Sequence, residues 1–212
     1  MLFNIICASH NYKILEKNFG RTNLYKSGEM ILMRGFNNIS RAYNKVCVTG
    51  KDDQYNCYIH HDVFMADDFA DRLSNAIQQI NALDKNWGVL GVTGAAMING
   101  QRKFIGHVND RGMEDGTSNN LPHEVQTLDE LLLITKGDFV FDEQFDLHFY
   151  GADVCMQAIK QGRKNYAIDA YVYHNSNTPM GYRSNSFREC EAKFKAKWKD
   201  LLPIATTCTL LQ

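Results

Sequence analysis

Residues 55–62 decide the fold, and they are Tyr55-Asn56-Cys57-Tyr58-Ile59-His60-His61-Asp62. The first five, with two tyrosines, a cysteine and an isoleucine, are typical of a buried strand. Three polar side chains follow directly, and such side chains should not face an apolar core together. Because side chains alternate along a strand, we expect His60 and Asp62 on one side and His61 on the other.

Strand-like and helix-like segments alternate on both sides of this stretch. Short apolar runs predict strands, the longest of them buried on both faces; they cover residues 3–8, 29–33, 55–59, 88–98 and 167–173. Apolar residues at helical spacing predict helices over 39–46, 69–83, 152–161 and 186–201. This alternation predicts an α/β sheet covered by helices.

Length, composition and charge limit the classes of protein to which this chain can belong. The chain has 212 residues, is 44% hydrophobic, and carries 23 Lys and Arg against 24 Asp and Glu. Disorder is excluded by this apolar content and low net charge, and one large domain is the default. The near-neutral balance argues against a nucleic-acid partner bound through counterion release, but it leaves room for a local phosphate site.

Cysteine spacing and apolar run length indicate the compartment. The six cysteines are irregularly spaced without a CxxC pair, which is typical of a reducing environment. The apolar part of the N-terminus, residues 2–8, is too short for a signal peptide, and no stretch approaches the ~20 apolar residues of a transmembrane helix. We therefore expect a cytoplasmic protein without a transmembrane segment, with peripheral membrane contact left open.

Polar side chains at strand ends are the first candidates for chemistry, because ligands of α/β sheets bind beyond the carboxyl ends of the strands. His60 and Asp62 could be partial ligands of a divalent ion, with His174 at another strand end as a third. The alternatives are a solvated strand end, with Asp62 capping the next turn, and a structural role for His174.

Two further features of the sequence are candidates for function, although a purely structural interpretation is open as well. Asp153, at the start of a predicted helix, is either an N-terminal helix carboxylate or a general base near the mouth of the sheet. Residues 99–124 are polar and glycine-rich, and a long segment without its own structure is usually a functional loop.

The ordered set of segments resembles a known family, the GT-A glycosyltransferases of the family 2-like group. It most resembles the small bacterial branch whose metal motif reads His-Asp-Val in place of Asp-x-Asp. The matching segments, over roughly residues 3–200, are 5–9, 40–44, 58–64, 141–145, 149–155 and 172–174. The resemblance implies a three-layer α/β/α sandwich with a mostly parallel central sheet. It also implies one catalytic domain over 1–212, with a nucleotide-binding half at about 1–65, an acceptor-side half at about 66–203 and a short tail.

The resemblance also implies a site and a reaction. Mn²⁺ or Mg²⁺ would be held by Asp62, His174 and His60, and Asp153 would be the catalytic base of an inverting transfer. Residues at the nucleotide-diphosphate sugar would be Ala8, Ser9, Asn44, His61 and Arg183, where Arg183 is otherwise a surface residue in the polar loop 175–185. The acceptor would be a glycan or a lipid-linked hydroxyl in bacterial surface-glycan synthesis, with loop 99–124 as a lid.

Two departures from the family pattern keep other functions open. No acidic residue follows the second strand in 33–38, and Ala152 stands where a Glu or Asp usually precedes the catalytic Asp. The main alternative is a catalytically inactive module that binds a nucleotide or glycan. A metal phosphohydrolase using His60, His61 and Asp62 ranks lower, because no further His or Asp pairs stand at hydrolase-like spacing.

Overall fold

A computed structural model describes residues 2–47, 54–115, 120–176 and 183–212. The helices of these ranges are α1 (Tyr12–Lys17), α2 (Asn23–Ser27), α3 (Ile39–Val46), α4 (Phe69–Leu83), α5 (Tyr150–Lys160) and α6 (Asn185–Lys197). The first eight strands are β1 (Leu2–Ala8), β2 (Ile31–Met33), β3 (Gln54–His60), β4 (Val63–Phe64), β5 (Leu90–Gly91), β6 (Thr93–Ile98), β7 (Gln101–Gly106) and β8 (Val108–Asp110). The others are β9 (Met113–Asp115), β10 (His123–Val125), β11 (Thr127–Leu128), β12 (Leu132–Thr135), β13 (Asn165–Ala167), β14 (Val172–His174), β15 (Ile204–Ala205) and β16 (Leu210–Leu211).

The largest sheet in the described ranges has seven strands in the order β10-β13-β5-β12-β3-β1-β2. β1 is parallel to β2 and β3, β12 is antiparallel to β3 and β5, and β13 is parallel to β5 but antiparallel to β10. Five of these seven strands therefore point the same way. The predicted mostly parallel central sheet is confirmed.

Alternating side chains of the central strands pack into two separate hydrophobic cores, one on each face of the sheet. Ile6 and Tyr58 face the core that α3, α5 and α6 cover, whereas Cys57 and Ile59 face the core that α4 covers. Each strand is buried on both faces because helices lie on both sides of the sheet. The three-layer α/β/α arrangement predicted from the resemblance follows from this placement.

The predicted single strand at 88–98 is wrong. The strand is interrupted at Val92. β5, before it, belongs to the central sheet, whereas β6, after it, belongs to a three-stranded sheet in the order β11-β6-β7. Val92 is completely buried, and its carbonyl accepts a hydrogen bond from His107 N at 2.9 Å. A continuously apolar run is compatible with one long buried strand or with two short ones. Its pattern therefore did not reveal the corner at Val92, where the chain passes from one sheet to the other.

The predicted long loop at 99–124 is wrong as a segment without its own structure. It contains β7, β8, β9 and the start of β10, joined by tight turns with positive φ at Asn99, Gly100, Arg111 and Gly112. β8 and β9 form a hairpin that joins β14 and β4 in a four-stranded sheet. Polar residues at 99–115 alternate on these half-exposed strands, which weakens the apolar signal. Residues 116–119 lie outside the described ranges.

Helix ends agree with the sequence patterns to within a few residues. Asn38 caps α3, because its side chain accepts a hydrogen bond from Arg41 N. The cap of α6 is Ser184, whose side chain accepts a hydrogen bond from Phe187 N. The chain after α6 forms the β15–β16 hairpin, where a short tail was expected. Within the described residues, no helix has both the length and the apolar character needed to cross a bilayer.

Candidate functional site

The topology brings His60, Asp62 and His174 together at one edge of the central sheet. β3 ends at His60, and after two intervening residues β4 pairs with β14 so that Val63 lies opposite His174. One potential ligand atom from each of the three lies within 4.8 Å of the others. Asp62 Oδ1 is 3.8 Å from His60 Nδ1, and Asp62 Oδ2 is 3.6 Å from His174 Nε2. His61 does not belong to this trio, and its Nδ1 lies 2.9 Å from Ser9 Oγ, as the predicted alternation of side chains requires.

This trio fits a divalent transition ion. Asp62 Oδ1 is a buried oxygen with no hydrogen-bond partner in the described structure, which is costly for a carboxylate unless a cation approaches it. Imidazole nitrogens suit transition ions, whereas Mg²⁺ prefers oxygen ligands and retains water. Two imidazoles with one carboxylate therefore form a possible site for a divalent ion.

Both imidazole rings are oriented by a second contact. His60 Nε2 lies 2.6 Å from the hydroxyl of Tyr150, at the start of α5, and this leaves His60 Nδ1 facing Asp62. His174 Nδ1 lies 2.9 Å from Asp110 Oδ1, and this leaves His174 Nε2 facing Asp62. Such outer contacts determine which ring nitrogen is available and strengthen it as a ligand.

The charges of the cluster are strongly coupled. Burial opposes ionisation of Asp62, but the hydrogen bond from His174 and the nearby imidazoles hold the pKa of Asp62 well below its usual value. Burial also opposes the charged form of His174, but its hydrogen bonds with Asp110 and Asp62 raise the pKa of His174 to about 10. Burial lowers the pKa of His60. Before an ion binds, a protonated His174 lies between two carboxylates.

The predicted donor-side residues at the ends of β1 and β3 do lie together. Ala8 is the last residue of β1, is buried, and pairs with Met33 and His60 in the sheet. Ser9 Oγ lies 2.9 Å from Nδ1 of the buried His61. Burial lowers the pKa of His61 to about 4, so its ring is neutral at pH 7. These residues form a small polar floor beside the cluster.

Asn44 lies elsewhere, in a structural contact. Its side-chain amide donates to the carbonyl of Phe141 at 2.8 Å and accepts from Phe141 N at 2.9 Å. On the same helix, Ser40 Oγ donates to the carbonyl of Phe145. Both polar ends of the Asn44 side chain therefore hold α3 against the segment before α5, and the structure gives the predicted nucleotide contact no support.

Asp153 is completely buried, and its contacts lie between α5 and α6. Asp153 Oδ1 accepts from Trp198 Nε1 at 2.8 Å and lies 2.7 Å from Lys197 Nζ, while Oδ2 accepts from Gln157 at 2.8 Å. Within the described residues, these hydrogen bonds and the ion pair do not involve His60, Asp62 or His174. Both oxygens of Asp153 are bonded and the residue has no exposed surface, which is the arrangement of a structural carboxylate. Its role as the general base stays a prediction.

Arg183 lies beside the C-terminal hairpin. Its guanidinium donates to the carbonyl of Cys208 at 3.0 Å and lies 3.6 Å from Glu191 Oε1. Among the described residues, its hydrogen bond and ion pair do not involve the cluster of His60, Asp62 and His174. The preceding residues, 177–182, lie outside the described ranges, so the predicted diphosphate contact stays a prediction.

Sequence reasoning missed an acidic residue that acts on the cluster, Asp129, which precedes Glu130 shortly before β12. Leu132 pairs with Ile59, and His60 N donates to the carbonyl of Leu131 at 3.0 Å, so the residues before β12 lie beside the end of β3. Burial lowers the pKa of His60, and the charge of Asp129 partly opposes that shift; at His174 the same charge adds to the larger effects of Asp110 and Asp62, which raise the pKa. The available signal was an acidic pair directly before the apolar run 131–134. Its interpretation required knowing that β12 runs antiparallel to β3.

Comparisons with known proteins agree with this geometry. A family model described as "Glycosyltransferase like family" matches residues 24–197. A protein of Fuscovulum blasticum described as "ATP synthase subunits region ORF 6" is 28% identical over 151 residues, which are 68% of this chain and 61% of that protein.

Two solved structures share the fold. The structure of GalNAc-T7 with UDP, GalNAc and Mn²⁺ superposes with a TM-score of 0.60 at 9% identity, over 94% of this chain and 49% of the other. Staphylococcus aureus TarS 1-349 in complex with UDP-GlcNAc superposes with a TM-score of 0.56 at 13% identity, over 93% and 66%. These likenesses show the GT-A fold. This chain spans about half to two thirds of the length of all three similar proteins.

Proposed function

The chain belongs to a glycosyltransferase-like family, and from this premise we propose that it transfers a sugar from a nucleotide-diphosphate sugar to an acceptor hydroxyl. The observation that carries the proposal is the cluster of His60, Asp62 and His174 at the ligand-binding edge of the sheet. The similar fold of two proteins crystallised with UDP or UDP-GlcNAc supports the donor class.

The cluster would hold Mn²⁺, with Asp62 as the charged ligand and the two imidazoles completing the protein side. When bound, such an ion supplies positive charge that stabilises a leaving diphosphate. Asp110 and Tyr150 would keep the rings of His174 and His60 in the orientation that coordination needs. Metal dependence of the transfer is part of the proposal.

The donor would lie over the floor formed by Ala8, Ser9 and His61, at the carboxyl ends of β1 and β3. Arg183, beside the C-terminal hairpin, would meet the diphosphate through paired hydrogen bonds. Direct attack of an acceptor on the anomeric carbon, from the face opposite the diphosphate, would invert its configuration.

We propose one catalytic domain over 1–212, working in the cytoplasm on a glycan or lipid-linked acceptor, in bacterial surface-glycan synthesis. The net charge of −1 supports a small donor, whose charge is met at one site, over a nucleic-acid partner.

A thermal-shift screen tests the donor and the ion together. UDP-, GDP-, CDP- and dTDP-sugars are added with and without Mn²⁺, and one donor class is expected to raise the melting temperature only with the ion. A ligand at 100 times its dissociation constant stabilises the folded state by about 2.7 kcal/mol. Asp62→Ala should abolish the shift, whereas Asp71→Ala, an exposed acid on α4, should keep it. An unchanged shift in Asp62→Ala would contradict the metal assignment.

A second candidate is a module that binds a nucleotide or glycan without transfer. The burial of Asp153, the predicted base, is the observation that favours it. Such a module would show the thermal shift but release no nucleoside diphosphate from the donor, with water or with any acceptor panel. Release of nucleoside diphosphate from the bound donor would exclude this candidate.

A further inference from the structure

The four-stranded sheet has two faces with different chemistry. Its strands lie in the order β4-β14-β8-β9, and Tyr173 on β14 lies opposite Phe64 on β4 and opposite Asn109 on β8. Because side chains alternate along a strand, His174 belongs to the other face from Tyr173. One face therefore contributes His174 to the candidate metal cluster, whereas the face of Tyr173, which we call the outer face, points away from it.

An aromatic row crosses the outer face. It consists of Phe64, Tyr173, Tyr171 and His107, in that order, and successive ring centroids are 5.8, 5.1 and 4.4 Å apart. Because neighbouring strands lie about 4.8 Å apart, rings from three strands spread over roughly 10 Å. Tyr173, near the middle of the row, is 37% exposed. An exposed apolar surface that is contiguous in this way usually marks a binding site.

Polar contacts hold the rings of the row in place. The hydroxyl of Tyr171 donates to Glu114 Oε1 at 2.6 Å, and the side-chain amide of Asn109 donates to the same oxygen at 3.0 Å. His107 Nδ1 lies 3.2 Å from Asp169 Oδ1. The rings are therefore ordered before a ligand arrives, and a surface ordered in advance loses less conformational entropy on binding.

The acidic side chains beside the row remain accessible. The side chains of Glu114 and Asp169 are each more than half exposed. Hydrogen bonds from Tyr171 and Asn109 lower the pKa of Glu114, so this carboxylate is ionised at pH 7. Ionised carboxylates accept hydrogen bonds from hydroxyl groups. The row therefore combines apolar ring surface with acceptors for a ligand that carries hydroxyls.

Basic side chains near the row balance this negative charge. Arg21 Cζ lies 5.9 Å from the ring centroid of Phe64, at one end of the row. Arg72, which the charge of Asp169 reaches, forms an ion pair with Asp68 at 2.7 Å. A polyanion or an anionic membrane needs a clearly basic surface, and the charges here nearly cancel. The balance therefore favours a neutral ligand.

The row ends close to the candidate metal cluster. Tyr173 directly precedes His174 on β14, and Phe64 directly follows Val63, which lies opposite His174. One residue of a strand advances about 3.3 Å along the sheet. A ligand that lies along the row and passes over the end of β14 therefore reaches the edge where the cluster lies.

We propose that the aromatic row binds a neutral oligosaccharide and that this glycan is the acceptor of the transfer, a role that rests on the proposed function. Apolar C–H faces of the sugar rings would pack on Tyr171 and Tyr173, and sugar hydroxyls would donate to Glu114 and Asp169. Tyrosine suits such contacts, because it offers a large rigid surface with a polar edge. The proposal favours a glycan over a lipid-linked acceptor.

Titration calorimetry without donor or metal ion tests the binding half of the proposal. The probes are neutral oligosaccharides of glucose, of galactose and of N-acetylglucosamine, and at least one should bind the wild-type protein. Tyr173→Thr should weaken that binding about tenfold or more, because tyrosines at the centre of a binding surface carry much of the binding energy. Threonine is chosen because it is favourable in strands.

Phe104→Thr is the matched control. Phe104 lies on β7 in a different sheet and, like Tyr173, is 37% exposed, so this variant should bind as wild type does. Failure of all the oligosaccharides to bind the wild type would overturn the proposal, and so would equal affinities of the wild type and Tyr173→Thr. If Tyr173→Thr does not fold, Tyr171→Thr takes its place with the same expected loss.

Two further measurements cover other occupants of the row. Binding to anionic lipid vesicles, or self-association detected by light scattering, would reassign the row to a membrane or to a second copy of the chain if Tyr173→Thr abolished it. The acceptor half predicts that the bound oligosaccharide is extended from the donor, with a higher KM for the oligosaccharide in Tyr173→Thr and unchanged donor affinity. Oligosaccharide binding without transfer from any donor would reject the proposed function and keep the binding site, which distinguishes the two failures.

Discussion

At the scale of the residue, the candidate site depends on contacts behind the metal-facing atoms. Tyr150 is almost completely buried, and its hydroxyl holds His60 Nε2 at 2.6 Å. Asp110 Oδ1 lies 2.9 Å from Nδ1 of His174 and orients that ring in the same way. Neither partner was among the residues singled out from the sequence, because each comes from a segment distant in the chain.

Removing the Tyr150 hydroxyl should weaken metal binding without changing the ligands. In Tyr150→Phe the ring of His60 loses the partner that orients it, and loss of such outer contacts costs about 10- to 100-fold in metal affinity. Titration calorimetry with Mn²⁺ measures the dissociation constant. Tyr12→Phe, at an exposed tyrosine, is the control and should bind Mn²⁺ as wild type does. Equal affinity in both variants would show that the Tyr150 contact does not orient His60.

Metal affinity should rise with pH. The pKa of His174 is raised to about 10, whereas those of Asp62 and His60 are lowered, so an ion displaces one proton at neutral pH and that proton leaves His174. The apparent dissociation constant for Mn²⁺ should then fall about tenfold per pH unit between about pH 6.5 and pH 8. Calorimetry in buffers of different ionisation enthalpy counts the released protons.

The carboxylate of Asp110 helps to hold the proton on His174. Without metal, the raised pKa of His174 contributes stability that is fully present below its unfolded pKa and is lost as pH rises towards about 10. Asp110→Asn removes part of the cause, so its proton release should decline at a lower pH. A pH-independent affinity in the wild-type protein would contradict this charge assignment.

At the scale of the element, the corner between β5 and β6 depends on a glycine in the facing strand. Gly106 has φ of +153°, and a Cβ there would lie 2.4 Å from the carbonyl oxygen of Val92 and 2.5 Å from Cα of Thr93. Both are backbone atoms, which cannot move aside as a flexible side chain can. β7 can therefore close on β6 only with glycine at this position.

Gly106→Ala should destabilise the fold much more than an ordinary glycine substitution. Strain at such a φ costs about 1–3 kcal/mol, and the backbone clash adds to it. Gly100→Ala is the matched control, since Gly100 also has positive φ but meets nothing within 4 Å. Urea unfolding should show a clearly larger loss for Gly106→Ala. Equal losses would mean that the corner adjusts without cost.

The elements also show how far the sequence patterns reach. α3 and α4 begin and end where apolar spacing predicts, because each buries one stripe and exposes the rest. β5 to β9 were not predicted as separate strands, because short strands at a sheet corner show neither long alternation nor a helical period. Their identity depends on pairing partners that are remote along the chain.

At the scale of the whole molecule, the sheet order assembles the site. β3 and β14 are more than a hundred residues apart in the chain, yet their ends meet through β4. The end of β3 and the start of β12 meet because these strands are antiparallel neighbours. The two cores on either side hold this edge in place, and the charge of the site is local within a chain of net charge −1.

The sequence by itself determined the α/β class, most helix bounds, and the candidate ligands His60, Asp62 and His174. These follow from local periodicity and from polar side chains at the ends of apolar strands, which neighbouring residues reveal. Only the tertiary structure decided how the acidic residues are held. Asp153 and Glu130 are each acidic residues near a strand or helix end, but packing against Trp198 buries the first, and the glycine at 151 lets the second lie against the first turn of α5. Burial and remote pairing decide such roles, and neither is written in local sequence.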